Sequence, residues 1–420
     1  MTSPEKISKG SLLKTIGPGI LFAGAAIGGS HLIQSTRAGA DYGYELIWVV
    51  VLVNLFKYPF FEFGHRYTTA TGKSLIEGYA ELGRWAVVTF FILSLLTATV
   101  NVAAVTIVAA GLTGHLFGLS WSAFQVSILL AVLSMVLLFI GKYPLLDKAV
   151  KIMIFILAVS TTVAVFLALG SSRQMAEAIS VPDIWTGGGI AFLIALMGWM
   201  PAPIESSVWP SLWLLQRRKQ TKYIPNLKEA LVDFHIGYIG TAVLAVFFVL
   251  LGALVMFGSG EKFSPNGVIF SQQLVALYTK TLGSWSFWII SITAFMTMLS
   301  TTLTVIDAYP RSLDVSMKEI FPKTKQAGER SYWIWVTLNV ILALIIIGFL
   351  TANMRQLLDF ATILSFLAAP VFAFINYKVV TGKNIEAGFK PKRWLISLSW
   401  IGIVFLVLFS LIYLYSILFL

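Results

Sequence analysis

Apolar residues run along this chain in long blocks separated by short polar ones. Eleven blocks approach the ~20 residues that a helix needs to cross a bilayer. They fall at about 12–40, 44–67, 85–113, 120–141, 147–169, 187–215, 233–257, 284–311, 331–350, 355–378 and 394–418. A shorter amphipathic stretch, about 265–280, predicts a helix lying along one surface. The longest polar interludes, about 68–84, 216–232 and 312–330, read as loops. The pattern predicts an all-α polytopic membrane protein of eleven transmembrane helices in one domain covering 1–420.

Two blocks are interrupted at their midpoints. The first carries Gly28-Gly29-Ser30-His31, and the sixth carries Pro201-Ala202-Pro203-Ile204-Glu205-Ser206-Ser207. A glycine costs about 1 kcal/mol against alanine inside a helix. Two prolines remove two N–H donors and push the residues before them out of the α region. Backbone freed from helical bonding is tolerated at membrane depth only where it is buried in protein or lines a wet cavity. Five spans separate the two interruptions. That spacing predicts two inverted five-helix repeats, about 12–169 and 187–378, with 394–418 as an extra helix. Paired breaks of this kind point to the binding site of a secondary transporter.

Composition agrees, with 58% hydrophobic and 12% charged residues. A net charge of +11 would suggest nucleic acid for a soluble chain, but here the basic residues sit in alternate short loops. Lys6, Lys9 and Lys14 precede span one; Lys73 and Arg84 follow span two; Lys142 and Lys148 follow span four. Arg217, Arg218, Lys219, Lys222 and Lys228 follow span six. Lys318, Lys323, Lys325 and Arg330 follow span eight, and Lys383, Lys390, Lys392 and Arg393 follow span ten. By the positive-inside rule these loops are cytoplasmic, which puts the N-terminus inside and the C-terminus outside a prokaryotic inner membrane. No cleavage site is read in Met1–Lys14, no nucleotide-binding loop or catalytic triad pattern occurs, and there is no cysteine. The expectation is a monomeric, non-enzymatic transporter without cofactor, whose partners are the lipid bilayer and a small solute or ion and not nucleic acid.

Few residues inside the blocks can carry chemistry. Glu62 with Arg66 and Asp307 with Arg311 are spaced four apart and predict ion pairs at helix ends. Asp359 is a further acid in an apolar block. Glu205 lies in the second break without a local partner; it either faces the cavity as ligand, proton carrier or gate, or is locked to another helix, with Lys57 as candidate. His31 is a coordinating or a structural histidine, and the four histidines are too scattered for a metal cluster. Gly28 and Gly29 either expose backbone or allow close helix packing. Ser30, Ser206 and Ser207 offer hydroxyls to a solute or to a carbonyl of their own helix. Trp199, Trp209 and Trp213 flank the second break as packing or as cavity walls. Asn101, midway along span three, bonds across helices or faces the cavity.

Gly17-Pro18-Gly19, Gly43-Tyr44-x-Leu46-x-Trp48-Val49, Asn54-Leu55, Arg66 and Thr71-Gly72-Lys73 run in register with the NRAMP metal-ion transporters, and Leu364-Ser365-Phe366 with Pro370 resembles that family too. The resemblance is dense over about 17–78. It implies a five-plus-five, LeuT-like inverted repeat with helices one and six broken, and alternating access. It also implies metal-ion transport by descent. The family holds its metal with Asp-Pro-Gly-Asn in helix one and Met-Pro-His in helix six. Here the first motif reads Gly28, Gly29, Ser30 and His31, and the second falls on Ile204, Glu205 and Ser206, or on Pro203 if shifted. The family's acids in span three have no counterpart between Trp85 and Gly114. The transition-metal site and proton route are thus expected to be replaced. The expected solute site is Gly28, Gly29, Ser30, His31, Pro203, Glu205 and Ser206, with Asn101, Lys57 and Trp199 coupling or gating. Any metal, a hydrated Mg²⁺-like ion rather than Mn²⁺ or Fe²⁺, would meet His31 and Glu205. The alternative is a small organic solute, such as an amino acid or carboxylate, received by the glycine-rich break. A sensor or scaffold of the same fold would show no flux.

Overall fold

The computed structural model describes residues 11, 14–141, 143–170, 181–350 and 353–419, so Lys6, Lys9 and Lys142 lie outside the described residues. Fifteen α-helices and no strand occur among them. The first block is split into α1 (Pro18–Ala26), a π turn (Ser30–Ser35) and α2 (Thr36–Tyr42). Then come α3 (Ile47–Thr71), α4 (Leu75–Leu82), α5 (Arg84–Phe117), α6 (Ala123–Ile140) and α7 (Tyr143–Gly170). The sixth block is split into α8 (Gly187–Gly198), a 3-10 turn (Ile204–Ser207) and α9 (Val208–Thr221). The rest is α10 (Leu227–Val255), α11 (Gly267–Leu282), α12 (Phe287–Ile320), α13 (Arg330–Leu350), α14 (Met354–Thr381) and α15 (Arg393–Phe419). Among the described residues, eight helices are long and apolar enough to cross a membrane: α3, α5, α6, α10, α12, α13, α14 and α15. The two split blocks are built from shorter pieces, and α11 is the predicted amphipathic helix.

Local signals explain many of the boundaries. Capping boxes start α4 (Ser74 with Glu77), α6 (Ser122 with Gln125) and α10 (Asn226 with Glu229). Left-handed Gly72 ends α3. All three interludes read as loops are partly helical, 216–232 holding the end of α9 and the start of α10. The stretch 68–84 contains α4. Helix α12 continues to Ile320, because Asp314 and Lys318 pair one turn apart at 2.6 Å while Leu313 and Ser316 bury the opposite side.

Helices α5 and α12 form the centre of the bundle. In each, 72% of the apolar window is buried, against 28% for α6 and 39% for α15, which therefore present their sides to lipid. Both halves of the first crossing lie against α10 at backbone distance. A Cβ on Gly19 of α1 would sit 1.9 Å from the Asp233 carbonyl oxygen, and one on Gly39 of α2 would sit 1.9 Å from that of Val249. The buried Asp233 carboxylate also accepts from the amides of Gly17 (2.9 Å) and Gly19 (2.7 Å), capping the otherwise unbonded start of α1. Replacing Asp233 by alanine strands both amides in a buried place. The expected loss is about 1–3 kcal/mol, seen as a lower midpoint of thermal unfolding in detergent, with Asp233→Asn intermediate. An Asp233→Ala protein that melts with the parent would refute the capping role.

Candidate solute site at the two helix breaks

The two breaks face each other. In the first, α1 ends at Ala26 and helical backbone resumes at Gly29, just ahead of the π turn at Ser30, so the true gap is 27–28. That gap is shorter than the glycines, serine and histidine suggested. The Gly28 carbonyl accepts from Leu32 (2.9 Å) and His31 (3.2 Å), while the Gly29 amide has no hydrogen-bond partner among the described residues. Both glycines are required by close approach: a Cβ would meet Thr301 at 2.9 Å from Gly28, and the Trp199 ring at 2.9 Å from Gly29. Ser30 Oγ donates to the Ala26 carbonyl (2.9 Å), which also accepts from the Gly28 amide (2.9 Å), and lies 3.5 Å from the Pro201 carbonyl of the second break.

The second break is tied down from four other helices, α3, α5, α12 and α14. Lys57 of α3 donates to the carbonyls of Met197, Gly198 and Ala202. Asn376 of α14 donates to Ser207 Oγ (2.7 Å) and in turn accepts from Tyr79 of α4. Ser206 Oγ closes the turn on the Pro203 carbonyl at 2.6 Å. Glu205 points into a polar knot. Its Oε1 lies 3.3 Å from Asn101 Nδ2, 3.3 Å from Tyr309 Oη and 3.5 Å from Ser365 Oγ. Asn101 donates to Tyr309 Oη (2.5 Å) and Ser365 Oγ (3.1 Å), and Trp199 Nε1 donates to Ser365 Oγ (3.3 Å). Glu205 Oε2 is buried with no protein partner.

Between the breaks lies a cavity with about 440 Å³ of empty space, part of it open. Its walls are Phe22, Ala25, Ala26, Gly29 and Ser30 of the first crossing, Asn101 and Val105 of α5, Trp199, Pro201, Ala202, Pro203, Ser206 and Trp209 of the sixth, and Thr301, Val305 and Tyr309 of α12. No charged side chain and no histidine stands among them. Of the residues singled out from sequence, Gly29, Ser30, Asn101, Trp199, Pro203, Ser206 and Trp209 form its wall. Glu205 stands one layer behind Asn101 and Tyr309. His31 turns away: its Nε2 donates to the Thr241 carbonyl of α10 (3.0 Å), and its Nδ1 meets Ser30 Oγ (2.7 Å). His31 and Glu205, named together as metal ligands, are not brought together, and no group of three or more potential ligands occurs among the described residues. Lys57 is not the partner of Glu205, since no ion pair joins them within 4 Å. The pairs Glu62–Arg66 (2.6 Å) and Asp307–Arg311 (2.5 Å) form as their spacing predicts.

At one end of the bundle α2, α8 and α14 are bridged by side chains. Buried Arg37 donates to Asp359 Oδ1 (2.7 Å) and to Gln34 Oε1 (2.9 Å), and its guanidinium lies over the Phe192 ring, 4.9 Å from the centroid. Phe192 stacks on Tyr42 at 5.3 Å. Sequence reasoning passed over Arg37, although a charge inside an apolar block was the available signal. Tyr309 and Thr301 gave none.

The chain has no cysteine, so single cysteines report cleanly on this cavity. Ala202→Cys is expected to react with a water-soluble thiol reagent, and Ala195→Cys, buried in α8 outside the cavity, is not. Adding Gly29→Val, whose side chain meets Trp199, should slow the first reaction. Equal labelling at both positions would contradict the cavity.

The sequence profile of the natural resistance-associated macrophage protein-like (Nramp) family matches residues 19–416. An uncharacterized protein of Pasteurella multocida (strain Pm70) is 37% identical over 97% of this chain and 94% of its own length. The divalent metal cation transporter MntH of Staphylococcus aureus (strain Mu3) is 25% identical over 95% of this chain and 90% of its own. Among solved structures, the Eremococcus coleocola manganese transporter in complex with an aromatic bis-isothiourea compound superposes with a TM-score of 0.74, at 16% identity, over 99% of this chain and 89% of that one. Two broken crossings packed against each other, in an all-helical chain that this family's profile matches almost from end to end, make it a member of the Nramp-like family of membrane transporters.

Proposed function

We propose that this chain is a secondary-active, alternating-access transporter, of the metal-ion class by descent, whose site no longer strips and grips a transition-metal ion. One observation carries the reading: the cavity between the breaks is walled without a carboxylate, thioether or imidazole. A bare divalent cation at membrane depth needs anionic or several strong oxygen ligands in place of its water. A cation passing this site would keep much of its hydration, held by Ser30, Asn101, Ser206 and freed carbonyls, which suits a Mg²⁺-like ion. The names of the S. aureus and E. coleocola proteins favour a divalent cargo.

A specific observation favours a second reading, a small organic solute. The Gly29 amide has no hydrogen-bond partner among the described residues, and Gly29 shares the cavity wall with the Phe22, Trp199, Trp209 and Tyr309 rings. Amides at a half-helix start receive a carboxylate, and rings receive an apolar body. In either reading Glu205, with one oxygen unpartnered behind the wall, is the candidate proton carrier. Gly28, Ser30, Pro203 and Ser206 shape the site, Asn101 and Trp199 connect it to Glu205, and His31 fixes the first break to α10. The protein would work as a monomer in the plasma membrane with its N-terminus in the cytoplasm, which makes the Arg37–Asp359 layer the outer closure and leaves the cavity leaning inward.

Proteoliposomes should be screened with Mn²⁺, Mg²⁺ and a panel of amino and carboxylic acids, with and without a pH gradient. Mg²⁺ or organic-acid uptake is expected, and micromolar-affinity Mn²⁺ uptake would overturn the site argument. No flux of any probe would favour a sensor or scaffold. For whichever cargo moves, Glu205→Gln should remove the response to the pH gradient while the protein stays folded. Unaltered uptake and unaltered pH response would take Glu205 out of the mechanism.

A further inference from the structure

Lys57 lies in the middle of α3 and is fully buried. Its Nζ is 2.7 Å from the Met197 carbonyl oxygen, 2.9 Å from that of Gly198 and 3.3 Å from that of Ala202. Met197 and Gly198 are the last residues of α8, where regular helical bonding stops: the Gly198 carbonyl has no backbone partner further along the chain, and that of Met197 receives only the amides of the terminal turn, Met200 at 3.4 Å. Ala202 lies in the break. Three carbonyls on one nitrogen require three N–H donors. A neutral amine has two, and an ammonium has three. The end of a helix also carries partial negative charge, which favours a cation there. Unwound carbonyls and half-helix C-terminal ends are the groups with which broken-helix transporters hold a free cation.

We propose that the Lys57 ammonium is the resident cation of a carbonyl cage at the end of α8, tethered to α3 in the place a free alkali cation would take, so that the sixth crossing keeps its broken shape without sodium or potassium. Lys57 is therefore a positioning residue and not a counter-ion to Glu205. The proposal does not depend on the cargo suggested above.

The test needs no cargo. Thermal unfolding of the purified parent, Lys57→Ala and Lys57→Met is followed in choline, sodium, potassium or propylammonium chloride at equal concentration. The parent should be indifferent to the salt. Both variants should melt lower in choline. Lys57→Ala should regain most of the loss in propylammonium, which replaces the atoms removed, and a smaller part in sodium or potassium, because each stabilises the folded state by binding it. Lys57→Met, whose stem fills the same space without charge, should not respond to propylammonium. Equal melting of Lys57→Ala in all four salts, its failure to fold even with propylammonium, or parental melting of Lys57→Met would each overturn the proposal. None of these outcomes bears on which solute is carried.

Discussion

Each backbone amide or carbonyl left unbonded in a hydrocarbon interior costs several kcal/mol, and this fold breaks two of its crossings at mid-depth. The structure meets that constraint with side chains borrowed from intact helices. Asp233 of α10 takes the first amides of α1. Lys57 of α3 takes the last carbonyls of α8. Asn376 of α14 holds the 3-10 turn through Ser207. Within the crossings themselves, Ser30 bonds the Ala26 carbonyl and Ser206 that of Pro203. The breaks are thus stable because continuous helices fasten them, and the cavity exists because the breaks are held apart and open.

The crossings were legible in the sequence because lipid enforces long apolar blocks. The breaks were legible because paired glycines or prolines at mid-block weaken or remove helical hydrogen bonds at a depth where no water replaces them. Partnerships were less legible. Spacing of four announced Glu62–Arg66 and Asp307–Arg311, since one helix determines both positions. Glu205 with Asn101, Tyr309 and Ser365 joins four segments more than a hundred residues apart in places, and nothing local encodes it. The same holds for Lys57. Its position in an apolar block marked it as unusual, but only the fold shows that it faces carbonyls and not a carboxylate. His31 was misleading for the opposite reason: its place in the sequence break suggested the cavity, whereas the π turn that begins at Ser30 rotates it onto α10.

The layering around the cavity separates two tasks. Its inner wall is neutral, made of rings, hydroxyls, an amide side chain and bare backbone. The buried carboxylate stands behind, touching the cavity through Asn101 and Tyr309. A solute therefore meets no fixed charge directly, while a change in the bonding of Asn101 reaches Glu205 within one hydrogen bond.

The contact of both halves of the first crossing with α10 restricts how the molecule can move. Helix α1 is attached through Asp233 and the backbone approach at Gly19, and α2 through the His31–Thr241 bond and the approach at Gly39. Helix α10 therefore acts as a splint laid across the fracture. A crossing splinted on both sides of its break cannot flex there like a hinge. Either one half peels from α10, giving up close backbone packing, or the three pieces rock together as one rigid arm against α5 and α12.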